Sequence, residues 1–295
     1  MMLQPLHAPT VLFVSTLTGS DSAPGTASAP LATLNAAIGR IGSGTIAVDA
    51  TAGRPCTAAT ISRAVPISLA PWNNPTFYVE AGGASNALAI TGPGHVTIKG
   101  GHFSGGALAG VSFGTTTPVS GLSKLTATDC YAQGAQSGWN GIGRFATADL
   151  TRCEGKGGIN DGFGFHGIPG DPSVVNVVTM TDCEAHGCGD EAISPHEYVV
   201  LNIIGGQFDG AQQSGMAAVG YAVCNISGGA VFDNNGKSPD NNYGGLYYSG
   251  NASGTLNGVT LSNNDGPGIW DNTAGTLTLT DYTSTGNGAP DILTP

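Results

Sequence analysis

The chain has 295 residues, 48 of them glycine, and only 10% are charged and 7% aromatic. So little charge argues against a disordered chain, and so few aromatic residues indicate thin layers of small aliphatic side chains. Nine Lys plus Arg and a net charge of −11 disfavour a nucleic-acid partner, because phosphate neutralisation requires clustered cations.

No apolar run approaches ~20 residues, so no membrane span is expected. Met1–Thr10 has no basic stretch followed by an apolar stretch, so no signal peptide is visible there.

The first predicted elements are a strand at Thr10–Ser15 and a helix at Pro30–Ile41. Pro30 suits a first helical turn, and four apolar residues after it share one helical face: Leu31, Leu34, Ile38 and Ile41. A Gly-Ser-Asp-Ser-x-Pro-Gly-Thr segment joins the strand to the helix. This pattern, over about residues 11–41, resembles the N-terminal cap of pectate-lyase-like right-handed β-helix proteins, and the resemblance implies that fold.

Short β-type runs follow, separated by Gly, Pro and Asn, which predicts strands with irregular loops. They are Thr45–Val48, Ile67–Ala70, Phe77–Glu80, Leu88–Thr91 and Val96–Lys99.

A repeat becomes readable after Val96. Short anchor segments, such as Thr128-Asp-Cys130, recur at spacings of 23, 29 or 30 residues. Such a period indicates a solenoid, and strand-length units without intervening helices indicate a parallel β-helix. We therefore predict an all-β fold, a single-stranded right-handed parallel β-helix of about ten coils with a short N-terminal capping helix. One domain is expected over residues 1–295, with strand and cap at 11–43, irregular coils at 44–95 and regular coils at 96–295.

Stacked coils place equivalent residues in columns, about 4.8 Å apart. Cys130, Cys153 and Cys183 are predicted to form one interior column of free thiols, and Cys188 and Cys224 also to point inward. The cysteine spacing is not a common zinc pattern. Five residues past their anchors, Asn234, Asn264 and Asn287 are predicted to form an asparagine ladder.

The column thirteen residues past each anchor holds the candidate catalytic residues. His166 follows Cys153 by 13, and His196 follows Cys183 by 13. Arg144 falls in the same column if two inserted residues precede Ile142. The column continues as Val219, Ser249 and Asn272. A histidine base beside a guanidinium that binds a carboxylate would suit proton abstraction from C5 of a uronic acid.

The segment Glu191–Glu197 reads Glu-Ala-Ile-Ser-Pro-His-Glu. It resembles the Tyr-Gly-Phe-Asp-Pro-His-Glu motif of alginate (mannuronan) epimerases, and the likeness extends over about residues 180–245. The resemblance implies that His196 takes the place of the catalytic histidine. The chain has Glu191 where that family has tyrosine and Ser194 where it has aspartate. Lys237 is the cation nearest the position of that family's arginine.

Several polar residues near this stretch are candidate substrate ligands: Glu197, Glu191, Asp190, Tyr198, Tyr221 and Lys237. Asp161, Asp190 and Asp209 are candidate calcium ligands, although no metal ligand set is assigned and no other cofactor is predicted. Tyr243, Tyr247, Tyr248 and Trp270 are either a sugar-stacking platform or interior residues.

Two functions stay open. One is a lyase or epimerase acting on an acidic, uronic-acid-containing polysaccharide. The other is a non-catalytic glycan-binding or structural β-helix, such as a phage tail appendage, which would be expected to trimerise. Both predict a secreted, cell-surface or virion-associated protein.

Overall fold

A computed structural model describes residues 10–118, 121–238 and 243–294. The chain consists mainly of strands that wind in one direction around a common axis. The expectation about a signal peptide falls on Met1–Thr10, which lies almost wholly outside the described residues. No helix of the described residues has the length and apolar content to span a membrane.

The N-terminal elements are β1 (Thr10–Ser15) and α1 (Leu34–Arg40). The first five coils contain β2 (Gly44–Asp49), β3 (Cys56–Thr57), β4 (Ala59–Ile61), β5 (Ile67–Pro71), β6 (Phe77–Glu80), β7 (Asn86–Ile90), β8 (His95–Lys99), β9 (Gly101–Gly106), β10 (Ala109–Phe113), β11 (Lys124–Thr128), β12 (Tyr131–Gly134), β13 (Ser137–Ile142), β14 (Thr147–Thr151), β15 (Glu154–Gly157) and β16 (Phe163–His166). The later coils contain β17 (Asn176–Thr181), β18 (Glu184–His186), β19 (Ile193–His196), β20 (Val199–Ile204), β21 (Gln207–Asp209), β22 (Met216–Ala218), β23 (Val223–Ser227), β24 (Val231–Asp233), β25 (Leu246–Gly250), β26 (Ser253–Ser262), β27 (Ile269–Thr273), β28 (Leu277–Thr285) and β29 (Ile292–Leu293).

These strands form three faces of a rod. A 19-stranded sheet supplies faces one and two, because β26 and β28 run through the corner between them, and a 10-stranded sheet forms face three. Each strand pairs in parallel with its counterpart one coil away, as when β14 pairs with β11 and β17. The predicted right-handed parallel β-helix of about ten coils is therefore confirmed.

The capping helix is shorter than predicted. It begins after Thr33, whose side chain accepts from the Ala36 amide. The prediction that Pro30 lies in the first helical turn is wrong, because Leu31 instead bridges Val14 of β1 in parallel. The carboxylate of Asp21 accepts from the amide and hydroxyl of Thr33 and holds this entry in place. The predicted apolar face nevertheless packs inward, since all four of its residues are buried.

The anchor segments form the corner between faces one and two. Their central residue adopts a left-handed backbone conformation, with φ of 56° at Asp129, 49° at Arg152 and 50° at Asp182. Gly100 and Gly205 occupy the same place at 62° and 70°. A left-handed residue turns the chain sharply, and Gly, Asn and Asp adopt this conformation at the lowest cost. This preference explains the recurring Gly and Asp of the repeat, and Arg152 is the non-preferred residue at this position.

The interior consists of inward-facing columns. Cys130, Cys153 and Cys183 are buried and are free thiols, as predicted. Cys188 and Cys224 are likewise buried and free. Cys130, Cys153 and Cys183 directly follow the left-handed corner residues, and their small polarisable side chains fill the interior there.

The asparagine ladder is shifted by one residue at its start. The ladder consists of Asn235, Asn264 and Asn287. The side-chain oxygen Oδ1 of Asn264 accepts from the backbone N–H of Asn235 at 3.0 Å. The side-chain Nδ2 of Asn264 donates to Oδ1 of Asn287 at 2.9 Å. The prediction of Asn234 is wrong, because Val231 rather than Ala230 lies opposite Gln207. One extra residue in that corner therefore displaces the turn position.

Asn264→Ala is expected to lower the free energy of unfolding by about 3 kcal/mol, because it leaves buried donors and acceptors of two neighbouring coils unpaired. Urea denaturation followed by circular dichroism measures the change. Asn251→Ala, at an exposed turn position, is the control and should change stability little. Equal stability of the two variants would contradict a structural role for the ladder.

Candidate active site

Two histidines on face three lie side by side on consecutive coils. β16 and β19 pair in register with His166 opposite His196, and the ring centroids are 4.8 Å apart. His196 bridges Val219, and Ser249 lies opposite Asn272 two coils further on. The predicted column is thus confirmed from His166 onward.

Arg144 does not belong to this column. Ile142 is opposite His166, and Trp139 is opposite Phe163. Trp139 is the fully buried residue of that strand, so the predicted two-residue insertion is absent and Arg144 lies two residues beyond the column. Its guanidinium pairs with Asp171 at 2.7 Å, in the loop that follows His166.

Three carboxyl groups form a cluster at the start of the same strands. Asp161 precedes β16, and Asp190 and Glu191 precede β19, 29 and 30 residues later. One oxygen from each lies within 4.8 Å of the others. The stacking of coils brings these carboxyl groups together, because residues 30 apart lie opposite one another on these two coils, as His166 and His196 do.

In the carboxyl cluster (Asp161, Asp190 and Glu191), burial raises the pKa of two members, Asp161 and Glu191. Burial, followed by the charges of Asp161 and Asp190, raises the pKa of Glu191 to about 10. Burial also raises the pKa of Asp161 to about 7, with the charge of Asp190 adding to the effect. No lysine or arginine among the described residues contributes to either pKa, so Glu191 is a neutral, proton-donating acid at neutral pH.

The histidine pair (His166 and His196) is neutral at the same pH. Burial, and then the charge of His196, lowers the pKa of His166 to about 4. Burial also lowers the pKa of His196, although the charge of Asp190 partly opposes this. The Ser194 hydroxyl lies 2.9 Å from Nε2 of His196. Both imidazoles can therefore accept a proton or a hydrogen bond.

Gly164 separates Asp161 from His166. A Cβ at this glycine would lie 2.9 Å from both Oδ2 of Asp161 and Nε2 of His166. These two atoms are 3.9 Å apart. Glycine thus leaves the gap through which the carboxyl cluster and the histidine pair face one cavity. Ser194 occupies the equivalent place one coil on.

Together these groups line a cleft of about 260 Å³. Its lining residues are Asn160, Asp161, His166, Asp190, Glu191, Ser194, His196, Ala217, Val219, Tyr243 and Tyr247. None of these described lining residues is Lys or Arg. The cleft can donate and accept protons, but it offers no fixed positive charge to an anionic ligand.

Of the nine sequence-predicted site residues, the cleft brings together His166, His196, Asp190 and Glu191. The other five lie outside its lining: Arg144, Glu197, Tyr198, Tyr221 and Lys237.

Those outer residues contact one another or other partners. Tyr198 and Tyr221 stack in parallel, with centroids 5.0 Å apart. Lys237 pairs with Asp265 at 2.9 Å. Glu197 is a left-handed corner residue with φ of 61°.

The candidate calcium ligands separate in the same way. Asp161 and Asp190 meet in the carboxyl cluster, whereas Asp209 lies on face two and contacts Nδ1 of His186 at 3.0 Å.

The aromatic residues of the late coils divide between surface and core. Tyr243, Tyr247 and Trp270 form a three-ring cluster with centroids 4.9–5.3 Å apart. We call these three residues the aromatic wall, because Tyr243 and Tyr247 also line the cleft. Tyr248 is fully buried in the interior.

A larger groove of about 570 Å³ lies at the corner of faces one and two. Tyr78, His102 and Tyr131 stack along it with centroids 4.9 and 4.4 Å apart, so each ring covers its neighbour's face. Arg152 and Asp129 pair with each other at 2.7 Å. Among the described residues, the three acidic side chains that meet within 4.8 Å are those of the cleft, and none of them lines this groove.

Sequence reasoning missed Asn160 and Gly164. A usable signal is the 30-residue offset between His166 and His196, which aligns Asn160-Asp161 with Asp190-Glu191 and so points to polar residues at the same strand start on consecutive coils.

Searches with protein-family models and among curated proteins gave no match. Among solved structures, the chain is similar to the A-module of mannuronan C-5 epimerase AlgE4 from Azotobacter vinelandii. The identity is 13% and the TM-score 0.47, and the match covers 85% of this chain and 89% of that one. It is also similar to a GH136 lacto-N-biosidase from Eubacterium ramulus, with 12% identity and a TM-score of 0.48 over 96% of this chain and 65% of that one.

His166 is expected to stay neutral until the pH falls to about 4, and His196→Gln should raise its pKa by removing the neighbouring positive charge. An NMR titration of the imidazole signals, assigned with His166→Gln, measures both. An unchanged His166 midpoint in His196→Gln would show that the two rings are not electrostatically coupled.

Asp161→Asn is expected to stabilise the protein increasingly as the pH rises from 3.8 to about 7. The folded-state pKa lies above the unfolded value, so the stability contributed by protonated Asp161 is present in acid and is lost as the pH rises through 7. Urea denaturation at several pH values gives the difference from wild type. Asp149→Asn, at an exposed carboxylate, should show no such trend; a pH-independent difference for Asp161→Asn would refute the raised pKa.

Proposed function

We propose that this protein is a glycan-processing enzyme whose cleft cleaves glycosidic bonds by acid–base chemistry on carboxyl groups. The observation that carries the proposal is the carboxyl cluster, whose oxygens lie within 4.8 Å of one another and open into a cleft. Hydrolysis of a glycosidic bond uses one protonated carboxyl group and one carboxylate, about 5 Å apart when configuration is retained.

Glu191 is the proposed general acid. Its raised pKa keeps a proton available for the glycosidic oxygen as the bond to the anomeric carbon breaks. Asp190 stands beside it and is the group proposed to face the anomeric carbon and the positive charge that develops there. Asp161, with a pKa of about 7, is suited to take a proton from the water whose oxygen bonds to the anomeric carbon. Passing that proton to Glu191 restores the acid.

The histidine pair is proposed to bind rather than to ionise. Neutral imidazoles accept hydrogen bonds from sugar hydroxyl groups without adding charge, and Ser194 fixes one ring through its hydroxyl. Since the cleft has carboxyl groups and no Lys or Arg among its described lining residues, a neutral or amino sugar suits it better than a bare uronate.

A lyase or epimerase acting on a uronate polymer is the second candidate, favoured by the stacked neutral imidazoles, which are competent bases for the C5 proton. Such a reaction needs the C6 carboxylate neutralised. Asp161, Asp190 and Glu191 offer the hard oxygen ligands that calcium prefers, and Oδ1 of Asp190 is buried without a hydrogen-bond partner. These residues would hold the ion, which would supply that neutralisation.

A panel of neutral and uronate polysaccharides, with and without calcium, distinguishes the candidates. Hydrolysis releases reducing ends, β-elimination creates an ultraviolet-absorbing unsaturated uronate, and epimerisation changes the NMR signal at C5. We expect reducing-end release from a neutral polymer without calcium. Glu191→Gln is expected to reduce it at least 100-fold, in line with the loss of a general acid.

Glu80→Gln is the control, because Glu80 is an exposed glutamate on face two. Calcium-dependent ultraviolet absorbance from a uronate polymer would favour the second candidate. No reaction on any polymer would leave a binding or structural β-helix as the function.

A further inference from the structure

The outward-facing side chains of face three change abruptly in size along the rod. One column of outward-facing residues runs through five successive coils. In order along the rod they are Gly164, Ser194, Ala217, Tyr247 and Trp270. Towards the N terminus the same column continues with Asn140 and Ser112. The floor of the cleft is therefore made of small side chains, and two large rings rise at its C-terminal end.

The aromatic wall is a compact unit. Tyr247 and Trp270 are partners on adjacent coils, with centroids 5.1 Å apart. Tyr243 leans on both, at 4.9 Å from Tyr247 and 5.3 Å from Trp270. All three are partly exposed, so ring surface remains open to a ligand.

The wall stands close to the carboxyl cluster. Glu191 and Ser194 belong to the sixth coil, Ala217 to the seventh and Tyr247 to the eighth. Two strand spacings therefore separate them, about 10 Å. Burial, with contributions from Tyr247, Glu191 and Asp190, raises the pKa of Tyr243, which agrees with a phenol that reaches back towards the acids.

This distance leaves room for one sugar ring above the small side chain of Ala217. The aromatic rings of Tyr247 and Trp270 then occupy the space towards the C-terminal end of the rod. A glycan lying along the floor runs parallel to the rod, because the floor is a column of stacked coils. The apolar face of a pyranose packs well on an aromatic ring, and such rings dominate the lining of small-molecule sites.

We propose that the aromatic wall closes the cleft at one end, so that the enzyme binds a terminal neutral or amino sugar against these rings and cleaves only near a chain end. This inference rests on the proposed function, because the bond to be cleaved lies at the carboxyl cluster. The aromatic wall thereby determines that cleavage starts from a chain end.

The test follows product length during digestion of soluble β-glucan, galactan, xylan and chitosan. Wild type is expected to release only monosaccharides at early times, with a slow fall in viscosity. Tyr247→Ala and Trp270→Ala should open the end of the cleft, yield intermediate oligosaccharides and raise the KM for short oligosaccharides at least tenfold. Tyr78→Ala, a tyrosine of the other groove, is the control and should leave the product pattern unchanged.

Folding of each variant is checked by circular dichroism, and Trp270→Phe, which keeps an aromatic ring, should restore the wild-type pattern. Intermediate oligosaccharides among the first wild-type products, or unchanged products from Tyr247→Ala, would overturn the proposal.

A separate arm isolates failure of the proposed function. If no polymer is cleaved, glucose, galactose, xylose and glucosamine disaccharides are titrated against Trp fluorescence, with Trp270→Phe identifying the responding residue. Saturable quenching lost in Trp270→Phe keeps the aromatic wall as a sugar site while the hydrolytic function fails. Absence of quenching overturns the wall as well.

Discussion

Parallel pairing between successive coils, in register, is the constraint on which everything else depends. Each coil hydrogen-bonds to the next across one strand spacing, so a residue type that recurs at equivalent positions becomes a column. The thiols of Cys130, Cys153 and Cys183, the amides of Asn235, Asn264 and Asn287, and the imidazoles of His166 and His196 are all consequences of this single geometry. Side chains 23, 29 or 30 residues apart in sequence become nearest neighbours.

The same geometry creates the unusual electrostatics of the cleft. Stacking places Asp161 beside Glu191 and gives the chain no opportunity to separate them. Burial raises the pKa of Glu191 to about 10, so Glu191 keeps its proton at neutral pH, and it raises the pKa of Asp161 to about 7. For the stacked imidazoles the effect has the opposite sign: burial and the charge of His196 lower the pKa of His166, so that its ring is neutral. The cleft therefore carries less charge at neutral pH than its number of ionisable side chains would suggest, which suits proton exchange with a neutral sugar more than attraction of a polyanion.

Register is where prediction from sequence succeeded and failed. The thirteen-residue offset correctly paired His166 with His196, because two anchors with the same left-handed corner precede them. It failed for Arg144, because the strand needs an inward-facing apolar residue and the sequence offers both Ile142 and Trp139 for that place. Only the packed interior distinguishes them: Trp139 is fully buried. A single extra corner residue displaced the ladder from Asn234 to Asn235 for the same reason.

The sequence by itself determined the repeat, the parallel β-helix and the pairing of the two histidines, because a period of strand-length units leaves few ways to bury apolar side chains. Tertiary structure alone decided which polar groups share a cavity. Asp161, Asp190 and Glu191 converge with His166 and His196, while Arg144 and Lys237 pair with acids elsewhere. Corners and insertions turn each side chain by an amount that local sequence does not encode, and burial of their neighbours then sets their charge.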